Sequence, residues 1–164
     1  KMHEHFNKER SKRKLGKSAL DPRFVLLHTF AHIFIRQLAF VSGYNIASIR
    51  ERLYWGAAKT NTEMNGILLY TASSDSEGSL GGLVNQGRPG NFEPILHSAL
   101  QAASWCSADP ICIESKGQGV DGSNLAACHN CALLPETSCE KGNRLLDRGM
   151  IIGSAVENIG GFFT

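Results

Sequence analysis

The stretch "FVLLHTFAHIFIRQLAFV", residues 24–41, predicts the element around which this chain folds. It is apolar on nearly every side, which is typical of a helix buried in a protein core. Pro22 suits the first turn of such a helix with Asp21 as its N-cap, and Gly43 suits its end. We therefore predict a buried central helix that runs from Pro22 to about Val41.

Three polar side chains interrupt this apolar helix at intervals of four residues, so they share one face: His28, His32 and Arg36. The spacing of the two histidines can bind a metal. On so apolar a helix, however, we interpret all three as hydrogen-bonded core residues, and we expect Asp75 or Glu77 as the partner of Arg36. The same polar residues argue against a membrane span, and we expect no membrane association.

Shorter elements flank the central helix. "YNIASIRERLYW" (44–55) predicts a short helix that becomes a strand at 53–55, and "GILLYTAS" (66–73) predicts a buried strand. Helices are predicted within 91–106 and near 143–152. With 164 residues, 42% of them hydrophobic, the chain is long enough for one domain with a core. We predict an α+β fold: a buried central helix, a small sheet and a C-terminal four-cysteine zinc knuckle.

All five cysteines fall within a span of 34 positions, 106–139. The pair Cys128-x2-Cys131 is the spacing at which a tight turn presents two thiolates to one zinc ion, and tetrahedral zinc needs two more ligands. We predict Cys139 as the third ligand and Cys112 as the fourth. Cys106 is the alternative fourth ligand, because it could instead pack as a small apolar residue at the end of the preceding helix.

Other uses of the thiols fit less well. A disulfide framework usually has an even number of cysteines and an export signal, and neither is found here. A redox pair is expected at a strand–helix junction, whereas this CxxC follows a turn-rich segment. An iron–sulfur cluster uses the same four thiolates and remains open at this stage, as does a redox switch. We expect zinc, reduced cysteines and a cytoplasmic location.

Positive charge is concentrated at the beginning of the chain. Residues 1–23 carry a net charge of +5, and the other residues carry −3. We predict a basic tail or linker over 1–20 and a folded domain over 21–164. A basic tail can bind nucleic-acid phosphates, or it can serve only as a solvated linker. The candidate nucleic-acid contacts are Lys8, Arg10, Lys12, Arg13, Lys14 and Lys17.

No catalytic residues are predicted. "GKS" (16–18) is not a phosphate-binding P-loop, since Ser11 stands where that motif requires glycine, so we expect no motor activity within this chain. The loop from Ser73 to Gly82 keeps a hydrolase alternative open, because serines and backbone N–H groups at a helix start can hold an anion. A simple tight turn explains the same residues, and the acidic side chains in the loop would repel an anion.

Six blocks of the chain carry a resemblance to a known family: "LLHTFAHIFIRQL" (26–38), "SIRERLYW" (48–55), "GILLYTASSDSEGSLGGL" (66–83), "SWCSADPICIES" (104–115), "NLAACHNCALLPETSC" (124–139) and "NRLLDRG" (143–149). In this order they resemble the zinc-binding (MZB) domain found at the C-terminus of certain superfamily 2 DEAD/DEAH-box helicases, including the Mrf-type repair helicases. Their sequence is most similar to the DrmB subunits of DISARM phage-defence systems.

The resemblance implies a role as a structural, DNA-proximal module of a helicase-associated antiviral defence protein in a bacterial cytoplasm. Its partner would be a DrmA-like helicase subunit, and any ATP-dependent helicase activity would belong to the full-length protein or to that partner. The alternative is the C-terminal domain of an Mrf-type DNA-repair helicase. In the wider family a four-cysteine group binds zinc, and the motif C-x2-C…C…N-x-x-LD maps onto Cys128, Cys131, Cys139, Asn143, Leu146 and Asp147.

Overall fold

The fold combines helices with one two-stranded antiparallel sheet, as the sequence predicts. The computed structural model describes residues 2–12, 14, 16, 19–56, 64–71, 82–154 and 158–163. The elements in these ranges are α1 (Met2–Lys12), α2 (Pro22–Ser42), β1 (Ile49–Tyr54), β2 (Gly66–Thr71), α3 (Gly82–Gln86), α4 (Phe92–Ala103) and α5 (Gly149–Ile152).

Helix α2 is the predicted central helix, and its ends are fixed as expected. The Asp21 side chain accepts a hydrogen bond from the backbone N–H of Arg23 at 2.9 Å, and Gly43 closes the helix with a φ of 72°. By length and a mean hydropathy of 1.6, α2 is apolar enough to cross a membrane. In this structure, however, 61% of that apolar stretch is buried within the chain, and α4, β1 and α5 pack against it.

The apolar face of α2 contributes to two hydrophobic clusters. The larger one joins α2 to β1, α4 and α5, and the smaller one lies towards the beginning of α2. Fully or almost fully buried members of the larger cluster are Ile35, Ile49, Ile95, Ala99 and Ile151. The smaller cluster contains Met2, Phe24, Val25, Ala31 and Leu53.

Strand β1 begins earlier than the sequence predicts. The expected helix is a single 3₁₀ turn, Ile46–Ser48, which Asn45 caps, and the strand starts at Ile49 rather than at 53. Buried and exposed residues alternate from Ile49 to Tyr54, and this period of two belongs to a strand. The alternation turns Glu51 inward, between Ile49 and Leu53, where it is buried.

The second edge of β1 pairs with residues 138–140 rather than with a third strand. The backbone N–H of Glu51 donates to the carbonyl of Ser138 at 3.2 Å. The N–H of Leu53 donates to a Glu140 carboxylate oxygen at 3.0 Å, and the Glu140 N–H donates to Glu51 Oε1 at 3.1 Å. These bonds fix Cys139 against the buried face of β1.

Two other regions differ from the prediction in detail. The helix expected near 143–152 is confined to α5, because Asn143 and Leu145 have positive φ angles of 57° and 62° that no α-helix accepts. The segment predicted as a tail includes helix α1, whose Met2 packs against Phe24 and Val25. The division at residue 20 stays a prediction.

Candidate metal centres

Two groups of potential metal ligands lie within the described part of the chain. In each group the four ligand atoms lie within 4.8 Å of one another. The first, called here the four-cysteine cluster, consists of Cys106, Cys112, Cys128 and Cys131. The second, called here the mixed cluster, consists of His28, His32, Glu51 and Cys139.

The sulfur atoms of the four-cysteine cluster have the spacing that zinc requires. The Sγ–Sγ distances are 3.5 Å for Cys106–Cys128, 3.7 Å for Cys112–Cys131 and 3.8 Å for Cys128–Cys131. Four Zn–S bonds of about 2.3 Å in a tetrahedron place the sulfur atoms about 3.8 Å apart. The residues present therefore fit a zinc ion with little rearrangement.

A tight turn presents the CxxC pair. The N–H groups of Cys131 and Ala132 both donate to the carbonyl of Cys128, at 3.2 and 2.9 Å. The Cys128 N–H in turn donates to the Cys131 sulfur at 3.4 Å. Ala127 and Ala132 flank the turn and are fully buried, so this knuckle is packed against the body of the domain.

An ion pair between a buried arginine and a half-buried aspartate holds the other two cysteines. Asp109 accepts hydrogen bonds from the N–H groups of Cys106 and Ile113, at 2.9 and 3.1 Å, and so shapes the turn between Cys106 and Cys112. Arg148 is fully buried and binds both Asp109 oxygens, at 2.7 and 2.8 Å. It also donates to the carbonyl of Ala103 at the end of α4. This pair locks the ligand turn onto the fold.

Amide side chains hold the polypeptide on either side of the knuckle. Asn143 bonds both backbone groups of Leu134, donating at 2.7 Å and accepting at 2.9 Å. Asn124 donates to the carbonyl of Asn143 and accepts from the N–H of Leu146. Asp147 accepts from the N–H of Gly149 at 2.9 Å. The N-x-x-LD residues thus serve as a frame for the ligands.

Arg36 binds the zinc knuckle. Its guanidinium donates to the carbonyl oxygens of His129, Asn130 and Leu133, at 3.4, 2.9 and 3.2 Å, and so ties the knuckle to α2. Asp75 and Glu77, the partners predicted for Arg36, lie outside the described residues, so that pairing stays a prediction.

The electrostatics of the four-cysteine cluster favour a bound cation. Burial raises the pKa of the Cys112 thiol to about 11 and also raises the pKa of Cys131, and the adjacent thiols add to the effect on Cys131. Four adjacent thiolates therefore do not form together on their own at neutral pH. A divalent metal ion supplies the missing positive charge and deprotonates the ligands as it binds.

The structure divides the predicted ligand set. Cys106 and Cys112 were alternatives for the fourth ligand in the prediction. In the structure both of them lie in one cluster with Cys128 and Cys131. The structure places Cys139 in the mixed cluster instead, 3.2 Å from His28 Nε2. The reason is the pairing of residues 138–140 with β1, which a count of cysteine spacings does not reveal.

The mixed cluster is a buried polar site that the sequence analysis did not assemble. His28 and His32 are fully buried, and Glu51 is 3% exposed. Burial raises the pKa of the Cys139 thiol, but its contacts with His28 and His32 outweigh that effect and lower the pKa to about 6. Two features could have identified these residues. They are the spacing of four between His28 and His32 on α2, and the period of two that places Glu51 on the same face of β1 as Ile49 and Leu53.

Of the predicted nucleic-acid contacts, those that the structure describes belong to neither cluster. Lys8, Arg10 and Lys12 are on α1, and Lys14 follows it. Arg13 and Lys17 are outside the described residues. The loop proposed for the hydrolase alternative, from Ser73 to Gly82, also lies outside them except for its last residue.

Comparison with known proteins gives two matches. A family model described as the MrfA Zn-binding domain matches residues 30–132, a range that holds the whole four-cysteine cluster and ends before Cys139. A DISARM protein DrmB from Bacillus paralicheniformis is 44% identical over 140 residues, which cover 85% of this chain. The chain spans about a quarter of that relative, since the match covers 24% of it. Together with the sulfur geometry, the family match identifies zinc as the metal that this chain binds.

Replacing Asp109 tests how far zinc binding depends on its ion pair with Arg148. Asp109→Asn removes the charge that pairs with Arg148 and weakens the turn that carries Cys106 and Cys112. We expect zinc affinity to fall by about 10–100-fold, the usual effect of losing an outer partner of a metal site. The measurement is competition with a chromophoric chelator. Glu114→Gln, an exposed position two residues past Cys112, is the control and should bind zinc normally.

Proposed function

Since the chain belongs to the MrfA Zn-binding domain family, we propose that it is the zinc-stabilised module of a DISARM-type antiviral defence protein. In this proposal it docks a helicase partner and lies close to DNA. The observation that carries the proposal is the 44% identity to a DISARM protein DrmB across most of this chain. The ligand geometry supports a closed zinc site of four thiolates, which has no open position for a substrate.

Zinc in this proposal has a structural role. The four-cysteine cluster joins the segment that follows α4 to the knuckle. Neither of these two segments lies in a long helix or strand. The third hydrophobic cluster, beneath the knuckle, contains only Ala127, Ala132 and Leu146 as buried members. So small an apolar contact contributes little stability, and metal binding contributes folding free energy directly.

Single substitutions identify the zinc ligands. We expect Cys106→Ser and Cys112→Ser each to remove one equivalent of zinc and to lower the unfolding temperature, because each removes a thiolate from the same ion. Ser107→Ala, next to Cys106 and exposed, is the control and should retain its zinc. Zinc content by mass spectrometry and thermal unfolding are the measurements. Full zinc in either cysteine variant would remove that residue from the ligand set.

A candidate docking surface lies beside the zinc knuckle. A cleft of about 380 Å³ opens between α2, the end of α4 and the knuckle. Two large apolar side chains on its rim are mostly exposed, Phe40 at 83% and Trp105 at 70%. Exposed aromatic side chains around a cleft are typical of protein interaction sites. We assign this surface to a helicase partner of the DrmA type.

The docking surface is tested by removing its two aromatic anchors in the full-length protein. We expect Phe40→Ala with Trp105→Ala to abolish co-purification with the helicase partner while leaving the zinc content and the unfolding temperature unchanged. Val84→Ala, an exposed apolar residue on α3, should retain the partner. If the double variant instead lowers the unfolding temperature of the full-length protein alone, another part of that protein covers the surface, and the assignment to a partner is wrong.

Proximity to DNA is proposed from the charge distribution. The net charge of +5 is confined to residues 1–23, while the rest of the chain is acidic. Lys8 is exposed on α1, and Lys14 is exposed just after it. Since α1 packs against the domain through Met2, these cations are carried on the domain surface and not on a remote linker.

Neutralising the two exposed lysines tests this proposal. We expect Lys8→Gln with Lys14→Gln to weaken binding to a duplex of any sequence. The slope of log K against log salt should become about 2 units less steep, because two phosphate contacts are lost. The matched control, Arg88→Gln with Lys116→Gln, removes the same charge from exposed positions on the body. An equal loss of affinity in both double variants would show a general charge effect and no contact by α1.

A further inference from the structure

We propose that the mixed cluster is a second metal site, which binds a divalent transition metal ion of the zinc class through His28, His32, Glu51 and Cys139. The donor set is two imidazoles, one carboxylate and one thiolate, all of which are established ligands of zinc. The family match ends before Cys139, so it does not contain the complete set.

The distances between the ligand atoms fit a tetrahedral ion. His28 Nε2 lies 3.2 Å from Cys139 Sγ and 3.1 Å from Glu51 Oε1, and His32 Nε2 lies 3.5 Å from the same oxygen. Zinc bonds of 2.0–2.3 Å place such nitrogen, oxygen and sulfur atoms about 3.3–3.6 Å apart. The two imidazole rings are perpendicular, at 89°, with their centroids 4.6 Å apart, so both can direct a nitrogen at one point.

The hydrogen bond of His32 directs its other nitrogen into the cluster. His32 Nδ1 lies 2.8 Å from the carbonyl oxygen of Ala132, which can only accept, so Nδ1 carries a hydrogen. In the neutral ring Nε2 then carries a lone pair, and in the structure it makes no hydrogen bond to a described residue, although the side chain is fully buried and Glu51 Oε1 lies 3.5 Å away. A backbone carbonyl that orients the opposite nitrogen is the usual outer partner of a metal-bound histidine.

Cys139 has the surroundings of a metal-bound thiolate. The N–H groups of Lys141 and Asn143 donate to its sulfur at 3.4 and 3.1 Å. The N–H two residues after Cys106, in the four-cysteine cluster, makes the same contact at 3.4 Å. Donors aimed at sulfur stabilise negative charge on it. Cys139 therefore resembles a ligand of the first centre more than a buried apolar cysteine.

Charge balance allows two occupants of the mixed cluster. The glutamate and the thiolate together carry two negative charges, which either two protons on the histidines or one divalent ion can neutralise. Protonated histidines would hold the cluster together as a network of hydrogen bonds. In the structure, however, His32 Nε2 and Glu51 Oε2 have no hydrogen-bond partner among the described residues. One ion at the centre gives His32 Nε2 a partner, since it accepts a lone pair from each ligand atom. With four protein ligands and no solvent access, the site would be structural, and it would fasten α2, β1 and residues 138–140 together.

Metal counting tests the second site. We expect two equivalents of zinc in the purified chain, one in Cys139→Ser, one in Cys128→Ser and none in the double variant. Ser138→Ala is the matched control: it is buried beside Cys139 and loses a bond to Ile46, yet it should retain both ions. A single equivalent in the native chain that Cys139→Ser does not reduce would overturn the proposal.

Zinc-edge X-ray absorption of the unmodified chain gives an independent answer if the variants do not fold. Two sites predict five sulfur ligands shared between two ions, with nitrogen and oxygen supplying the remainder. A spectrum of four sulfur ligands per zinc with no nitrogen component would show that only the four-cysteine cluster binds metal, and would refute the second site.

Discussion

Pairing of residues 138–140 with the free edge of β1 is the constraint on which the arrangement of the domain depends. Among the described residues strand β1 pairs with β2 on one edge, and its other edge would expose backbone groups. The return of the chain along that edge accepts hydrogen bonds from the N–H groups of Glu51 and Leu53 and anchors the chain after the knuckle. It also brings a thiol to the buried face of α2, although the nearest cysteine in sequence, Cys131, belongs to a different cluster.

Polar connections replace a continuous apolar core on the C-terminal side of the domain. The knuckle, the ligand turn and residues 143–148 have little regular structure, and the apolar cluster at the knuckle is small. They are held by Arg148 with Asp109, by Arg36 on three carbonyls, and by asparagine side chains. Such buried polar groups stabilise a fold only when every partner is in place, so metal binding and the polar frame depend on each other.

The sequence predicts the elements that rest on local patterns and misses those that rest on long-range pairing. The central helix, the position of the second strand and the fold class follow from apolar periodicity and capping residues, and the structure confirms them. The predicted burial of the second strand is wrong, because Leu68 and Tyr70 lie on its exposed face and its other residues are only half-buried. The grouping of the cysteines could not be predicted by spacing, since Cys139 is closer in sequence to Cys131 than Cys112 is, yet joins other residues. Likewise, the helical spacing of four predicts that His28 and His32 share a face, but only the register of β1 shows that Glu51 lies against them.

The position of the zinc knuckle relates the metal to the surface proposed for docking. The cleft beside Phe40 is lined on its far side by Cys106, Asn130 and Cys131, so two of its walls are set by residues at the first metal centre. Arg36 lines the same cleft and holds the knuckle carbonyls, including that of Asn130. A change in metal occupancy would therefore move the walls of this cleft before it disturbed α2. On this argument zinc acts on binding by shaping the surface proposed for docking.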